Sequence, residues 1–219
     1  DDVGGRMAVF DVPLHYNFQR AGRAGAEFDM RRILEGSVMQ ARPAHAVTFV
    51  ENHDSQPLQA LESVVEPWFK PLAYALILLR REGYPCLFHA DYYGAEYDDQ
   101  GRDGNLHHIS MQSHRFLLDR FLGVRRDLAY GTQYDYFDHP ATIGWTRLGD
   151  DRHPGGMAVL MSNGADGYKW MEVGQSNVAY RDITGHVTER VVTNQNGWGE
   201  FRCRGGSVSV WTPACGDAR

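Results

Sequence analysis

Cysteine is scarce in this 219-residue chain: Cys86, Cys203 and Cys215 are the only three. An odd, sparse count leaves at least one thiol unpaired, excludes a disulfide-stapled framework and fits a reducing compartment. Cys86 lies in an apolar, strand-like run and reads as an inert core thiol. Whether Cys203 and Cys215 meet across neighbouring strands is left open by spacing alone. Long hydrophobic runs are also missing. The longest, residues 72–79, falls well short of the ~18 apolar residues of a membrane span. Basic charge is in deficit: 22 Lys and Arg against 28 Asp and Glu give a formal charge of −6. That balance disfavours nucleic acid and anionic membranes as partners. No signal-type segment opens the chain. There is no HExxH, no CxxC pair and no phosphate-cradling glycine loop.

What is present is globular in composition, with 42% apolar and 23% charged residues, and long enough for one or two packed cores. Residues 1–129 alternate between strand-like and helix-like patterns. Residues 7–16 read as strand, with Pro13 limiting its ladder. Residues 28–34 read as a short helix capped near Asp29 and closed by Gly36. Residues 46–50 form a buried-strand pattern. Residues 66–81 predict a long helix with Pro67 in its first turn, ended by Gly83. Residues 86–89 predict a third strand. Residues 111–126 predict an amphipathic helix burying Phe116, Leu117, Leu118, Phe121, Leu122 and Val124. From residue 130 the grammar changes to short β-rich runs, at 143–146, 157–162, 169–173, 191–193, 198–202 and 207–212. Asn163-Gly164 and Asn196-Gly197 are hairpin dipeptides among them. The fold class expected is α/β followed by an antiparallel β-domain, divided at 129/130.

The octapeptide from Phe49 to Gln56, FVENHDSQ, carries the most chemistry. A β-branched strand stops in a cluster holding a carboxylate, an imidazole and two amides. On the C-terminal face of a parallel α/β barrel, such a cluster suits hydroxyl recognition and stabilisation of positive charge. Asn, Asp or Ser there equally suits an N-cap for the following helix, and spacing does not separate the two readings. The acidic segment 93–103 matches no calcium-loop spacing and reads as a solvated charge cluster. His107-His108 lacks a partner at zinc spacing and reads as surface. Trp68 and Tyr84 read as core residues.

FVENHDSQ resembles the FxxNHD signature of α-amylases, glycoside hydrolase family 13. EPWFKPLAYALIL, from Glu66 to Leu78, is similar to the helix that follows it in liquefying and bacterial intracellular members. GYPCLFHADYYG, from Gly83 to Gly94, is similar to their last barrel strand, and FDVPLHYNF, from Phe10 to Phe18, to their sixth. WGEF, from Trp198, and GGSVSVW, from Gly205, resemble the closing strands of their C-terminal domain. The resemblance spans nearly the whole chain. It implies the last three strands and helices of a (β/α)8 TIM barrel, then a Greek-key β-sandwich. It also implies starch or malto-oligosaccharide as substrate and endo-hydrolysis with retention. Asp54 becomes the transition-state-stabilising acid, and His53, Asn52 and Gln56 become substrate-site residues. The family's nucleophile, an Asp in a motif like GFRxDAxKH, and its acid/base Glu have no match here. Glu27, Glu51, Asp91 and Glu96 are carboxylates near strand ends, and none matches a family acid. The alternative reading is therefore a catalytically inactive remnant that binds malto-oligosaccharides weakly. A calcium that bridges barrel and β-domain in some relatives would meet Ala141 and Asn163, a poor oxygen set, so no metal ligand is assigned. Further expectations are a homodimer covering the open barrel face and a bacterial cytoplasmic location, with secretion left open.

Overall fold

A short parallel sheet opens the computed structural model, which describes residues 5–214. Its strands are β1 (Val9–Phe10), β2 (Ala46–Thr48) and β3 (Tyr84–Pro85), in the order β1-β2-β3. Asp11 N–H donating to Val47 O at 2.9 Å and Cys86 N–H to Thr48 O at 2.7 Å extend the pairing beyond the strands proper. Between β1 and β2 lie α1 (Val12–Ala24) and the one-turn α2 (Val38–Ala41). The strand expected over residues 7–16 is thus mostly helix. Proline blocks a strand ladder but fits a first helical turn, and Pro13 occupies that place in α1. The carboxylate of Asp11, fully buried, caps α1 through Leu14 N–H and also accepts from Val38 N–H and Met39 N–H at 2.9 and 2.7 Å. The helix expected over 28–34 shrinks to a 3-10 turn, Met30–Arg32, capped by Asp29.

α3 (Lys70–Leu79) starts later than its pattern suggested, with Pro71 rather than Pro67 in its first turn. α4 (His89–Tyr93) replaces part of the strand expected at 86–89, and Cys86 is only half-buried. The acidic segment folds as a hairpin of β4 (Ala95–Gln100) and β5 (Leu106–Met111), followed by α5 (Arg115–Asp127). α5 buries Leu118, Phe121 and Val124, whereas Phe116 is turned outward beneath the Arg120 guanidinium.

The rest is antiparallel: β6 (Gln133–Tyr136), β7 (Thr142–Arg147), β8 (Met157–Ser162), β9 (Gly167–Glu172), β10 (Ala179–Asp182), β11 (Val191–Val192), β12 (Trp198–Cys203) and β13 (Ser207–Pro213). Six of them form one sheet in the order β11-β10-β13-β8-β7-β6, and β12 pairs with β9 as a separate ribbon. β7 and β8 are buried along their whole length. Their alternate side chains explain why. Ile143, Trp145, Met157, Val159 and Met161, with Val208 and Val210 of β13, join the core built around α3. Ala158 and Leu160, with Trp211, pack instead with Met171 and Phe201 of the ribbon. A sheet covered on both faces reads as a continuous apolar run, here MAVLMS. α3, buried at every position but Pro71, is therefore the shared centre of the α/β region and the large sheet.

Candidate functional site

The FVENHDSQ segment leaves the C-terminal end of β2 and runs in a loop to α3. Both ends of that loop are pinned by buried polar side chains. At one end, the His15 ring, 2% exposed, stacks on Phe49. Its Nδ1 bonds Val50 O and its Nε2 meets Ser63 Oγ, each at 2.7 Å. Burial lowers the His15 pKa, with the Val50 carbonyl opposing. Nδ1–H donates to that carbonyl, and the Ser63 hydroxyl, which also donates to Leu61 O at 2.9 Å, meets Nε2.

Glu51 fixes the other side. Its carboxylate accepts from Val65 N–H at 2.9 Å and from the Lys70 ammonium. Lys70 also reaches Asp91 Oδ1 at 2.5 Å, and Tyr74 O–H donates to Asp91 Oδ2 at 2.6 Å. Neither carboxylate side chain has any exposure, and that of Lys70 has 5%. Burial pushes Glu51 up to about 7, with Asp91 adding to the rise and Lys70 opposing it. Burial alone would lower Lys70; Asp91 and then Glu51 outweigh it and hold the ammonium above its ordinary value. Burial, then the Asp91 charge, raises the Tyr74 phenol well above its usual range. Such a cluster is stable only while each charge keeps its partners.

Between these anchors the loop presents its polar tip. The Asn52 side-chain oxygen accepts from Asp54 N–H at 3.0 Å and Ser55 N–H at 2.9 Å, an Asx turn that fixes the backbone under Asp54. The side chains of His53 and Asp54 face solvent, 82% and 53% exposed, with Nε2 and Oδ1 3.5 Å apart. Gln56 is half-buried. The β4–β5 hairpin braces the far side of the loop: Tyr97 O–H donates to Pro57 O at 2.8 Å and Gln59 Nε2 to Asp99 Oδ2 at 3.2 Å. Leu58, at φ +67°, turns the chain sharply between these braces.

Asn52, His53, Asp54 and Gln56 thus share one loop, with Asn52 committed to the backbone and His53 and Asp54 free to meet a ligand. A solvent-facing carboxylate beside an imidazole can accept from sugar hydroxyls and oppose developing positive charge. Glu51 and Asp91 are spent on Lys70. Glu96 lies in the hairpin, bonded to His108 and Ser110, and Glu27 is exposed beyond α1. Trp68 packs against the core as expected, but Tyr84 does not: it is 73% exposed. It stands in register with Val47, and Val47 with Phe10, making one row across the parallel sheet. The sequence reading missed Lys70 and Tyr74. Their signal was a single charge inside the apolar helix KPLAYALILL, because a buried lysine must be paired.

The residues near the bridging-calcium position do not fit a cation. Ala141 has no side-chain oxygen, and Asn163 Nδ2 donates to Gly25 O and Phe28 O at 2.7 and 2.8 Å, tying β8 to the turn after α1. Among the described residues, no group of three or more His, Cys, Asp or Glu is arranged to hold a metal ion. Cys215 lies outside the described residues, so its pairing with Cys203 does too. Burial raises the Cys203 thiol to about 12.

Residues 157–212 match the family of α-amylase C-terminal domains. Over 96% of its length the chain is 49% identical to an α-amylase of Geobacillus stearothermophilus, covering 37% of that protein. It is 50% identical, again over 96% of its length, to the cytoplasmic α-amylase of Escherichia coli K12, covering 43%. It is 51% identical over 93% to a glucan 1,4-α-maltohexaosidase of Bacillus sp. strain 707, covering 38%. The chain therefore spans about two fifths of the length of these curated relatives. Among solved structures, α-amylase I of Eisenia fetida, as a mutant complexed with maltohexaose, superposes on 93% of the chain, over 48% of its own, with TM-score 0.69 at 11% identity. The α-amylase of Geobacillus thermoleovorans complexed with acarbose covers 92% of the chain, over 47% of its own, with TM-score 0.59 at 13% identity. The sequence thus belongs with the α-amylases, as the counterpart of the C-terminal part of those proteins.

Proposed function

We propose that this chain supplies one wall of a site for starch and related α-1,4-glucans, with Asp54 as the acid facing the sugar and His53 as its hydrogen-bonding neighbour. The observation that carries this reading is the solvent-facing His53–Asp54 pair at the end of a parallel strand, held from behind by the buried Glu51–Lys70–Asp91 cluster. Identity near 50% to α-amylases and a maltohexaosidase supports the substrate class. In this reading β1–β3 and their helices are part of a TIM barrel, residues 1–129 form that catalytic portion, and residues 130–219 form a Greek-key β-domain. Asn52 sets the loop and Gln56 lines the cleft. The cellular site we propose is the bacterial cytoplasm, as the name of the E. coli relative suggests; no helix among the described residues is long and apolar enough to cross a membrane.

Retaining hydrolysis needs a nucleophile and an acid/base about 5–5.5 Å apart. Glu51 and Asp91 are neutralised inside the protein, so in this reading both groups must come from another polypeptide segment. The second reading, a non-catalytic glucan binder, is favoured by that same engagement of Glu51 and Asp91. Assay of the purified 219-residue chain on soluble starch, beside Asp54→Asn, separates them. Hydrolysis abolished by Asp54→Asn supports an active site rebuilt by assembly. No hydrolysis, with malto-oligosaccharide binding that depends on Asp54, supports the binder. Hydrolysis unchanged in Asp54→Asn defeats the proposed role of this acid.

A further inference from the structure

Positive charge is concentrated where the α/β region meets the large sheet, in a chain whose formal charge is −6. A cavity of about 380 Å³ there is lined by five arginines: Arg80 and Arg81 at the C-terminal end of α3, Arg125 and Arg126 in the last turn of α5, and Arg147 at the end of β7. Three carboxylates pair with this group. Glu82 lies 3.2 Å from Arg80 and 3.9 Å from Arg81, Asp135 holds Arg80, and Asp127 holds Arg126, the last two at 2.7 Å. Five guanidinium groups against three carboxylates leave two positive charges in excess.

Two helix C-termini meet at this place, each with about half a negative charge, and basic side chains there are ordinary. That explains Arg125, whose guanidinium donates to Leu78 O near the end of α3. It does not explain Arg147. This side chain belongs to a strand, is 6% exposed and caps no helix. Among the described residues it has no carboxylate within ion-pair distance; its Nε and Nη2 both donate to Gly131 O, at 3.4 and 3.3 Å. Burial lowers its pKa; Glu82 opposes, and the charges of Arg81, Arg125 and Arg80 lower it further. A guanidinium buried near three like charges, with one neutral carbonyl as acceptor, is short of an anion.

We propose that this cavity binds the phosphate group of a small phosphorylated molecule, with Arg147 as its buried donor and Arg81 and Arg125 beside it. Guanidinium forks match phosphate oxygens in pairs. The volume lies at the lower end of the usual range for small-molecule sites and leaves room beside a phosphate. Leu122, 37% exposed, and Tyr130, stacked on His153 at 3.6 Å, offer an apolar wall to the organic remainder. The site shares no residue with the Asp54 loop and does not depend on the function proposed above. A ligand there would join α3, α5 and β7, so its binding should stabilise the whole fold.

The test uses the intact 219-residue chain in a phosphate-free buffer of low ionic strength, followed by calorimetry and thermal melting. The probes are inorganic phosphate, glucose 6-phosphate and ATP without metal. At least one should bind with a Kd of about 0.1 mM or tighter. At about tenfold over that Kd it should raise Tm by about 3–5 °C. Equal binding of inorganic phosphate and the esters would identify the free anion as the ligand; a preference of about tenfold or more for one ester would identify that ester's class. Arg147→Met should weaken binding at least about tenfold, while the ligand-free variant melts no lower than wild type. Arg81→Gln, at an exposed position, should weaken binding about threefold and decides the matter if Arg147→Met does not fold. No binding of any probe at about 10 mM, or wild-type affinity in every variant that folds, overturns the inference and leaves the proposed function standing.

Discussion

Glu51 is the residue whose charge is most at odds with its surroundings. In the unfolded chain it titrates near the ordinary glutamate value of about 4.3; in the fold burial moves it to about 7. A raised carboxyl pKa means the native state binds the extra proton between those values. Its contribution to stability is complete below about pH 4.3 and is lost by about pH 7, by an amount of order 3 kcal/mol. Glu51→Gln should therefore flatten the pH dependence of the urea midpoint between pH 5 and 7.5. An unchanged slope would mean that Glu51 is not the titrating group. Lys70→Met goes the other way: it leaves Glu51 and Asp91 buried without their cation, and should cost about 3–5 kcal/mol at pH 7. At Asp54 the expected outcome is different in kind. Asp54→Asn removes charge from an exposed tip, so stability should stay within about 0.5 kcal/mol. Malto-oligosaccharide binding at that loop, no tighter than about millimolar, should disappear from calorimetric titrations.

At the scale of elements, the parallel segment was harder to read than the antiparallel one. β8 and β13 lie within a residue of their sequence patterns because a run such as MAVLMS, between glycine turns, has few other ways to bury itself. β6 and β10 were missed: QYDY and AYRD carry too many polar groups to be seen as strands without their neighbours. The strand expected over 7–16 ends at Phe10 because Asp11 caps a helix whose first turn takes Pro13, and the helix expected from residue 66 begins at Lys70, where Pro71 rather than Pro67 takes the first-turn place. The candidate loop was legible from its motif, but its supports were not. Pairing of Lys70 with Glu51 and Asp91, or of His15 with Val50 and Ser63, is made by the tertiary fold across 19 to 48 residues of sequence. One element contact is steric enough to predict from: Gly131 and Gly149 bridge the start of β6 to the end of the β7 segment. Gly131 has φ +75°, and a Cβ there would fall 1.7 Å from Gly149 O. Gly131→Ala should cost at least about 2 kcal/mol in urea unfolding; a wild-type midpoint would mean that the bridge opens without loss.

For the whole molecule, the open side of the parallel sheet is the dominant liability. Phe10 and Tyr84 are 60% and 73% exposed in the row they share with Val47, and Met7 and Val12 add to the wet apolar surface around β1. Such a surface requires a cover. For the 219-residue chain alone the cover we propose is a second copy, joined face to face about a two-fold axis. Light scattering after size exclusion should give a dimer with an interface above about 1,600 Å², and Phe10→Asp/Tyr84→Asp should convert it to monomer. A wild-type monomer of 24.8 kDa in dilute solution would rule this out.

α3 has a consequence of another sort. It packs against the parallel sheet, α5 and the six-stranded sheet at once, and Arg80 at its C-terminal end grips Asp135 of β6 through two hydrogen bonds of 2.7 and 2.8 Å. Its amide protons can reach deuterium only when all of those layers separate. In a hydrogen-exchange experiment they should be the slowest in the chain, and their opening energy should equal that of global unfolding. The two regions would then be units of architecture without being units of cooperativity, and proteolysis between them should release no folded half.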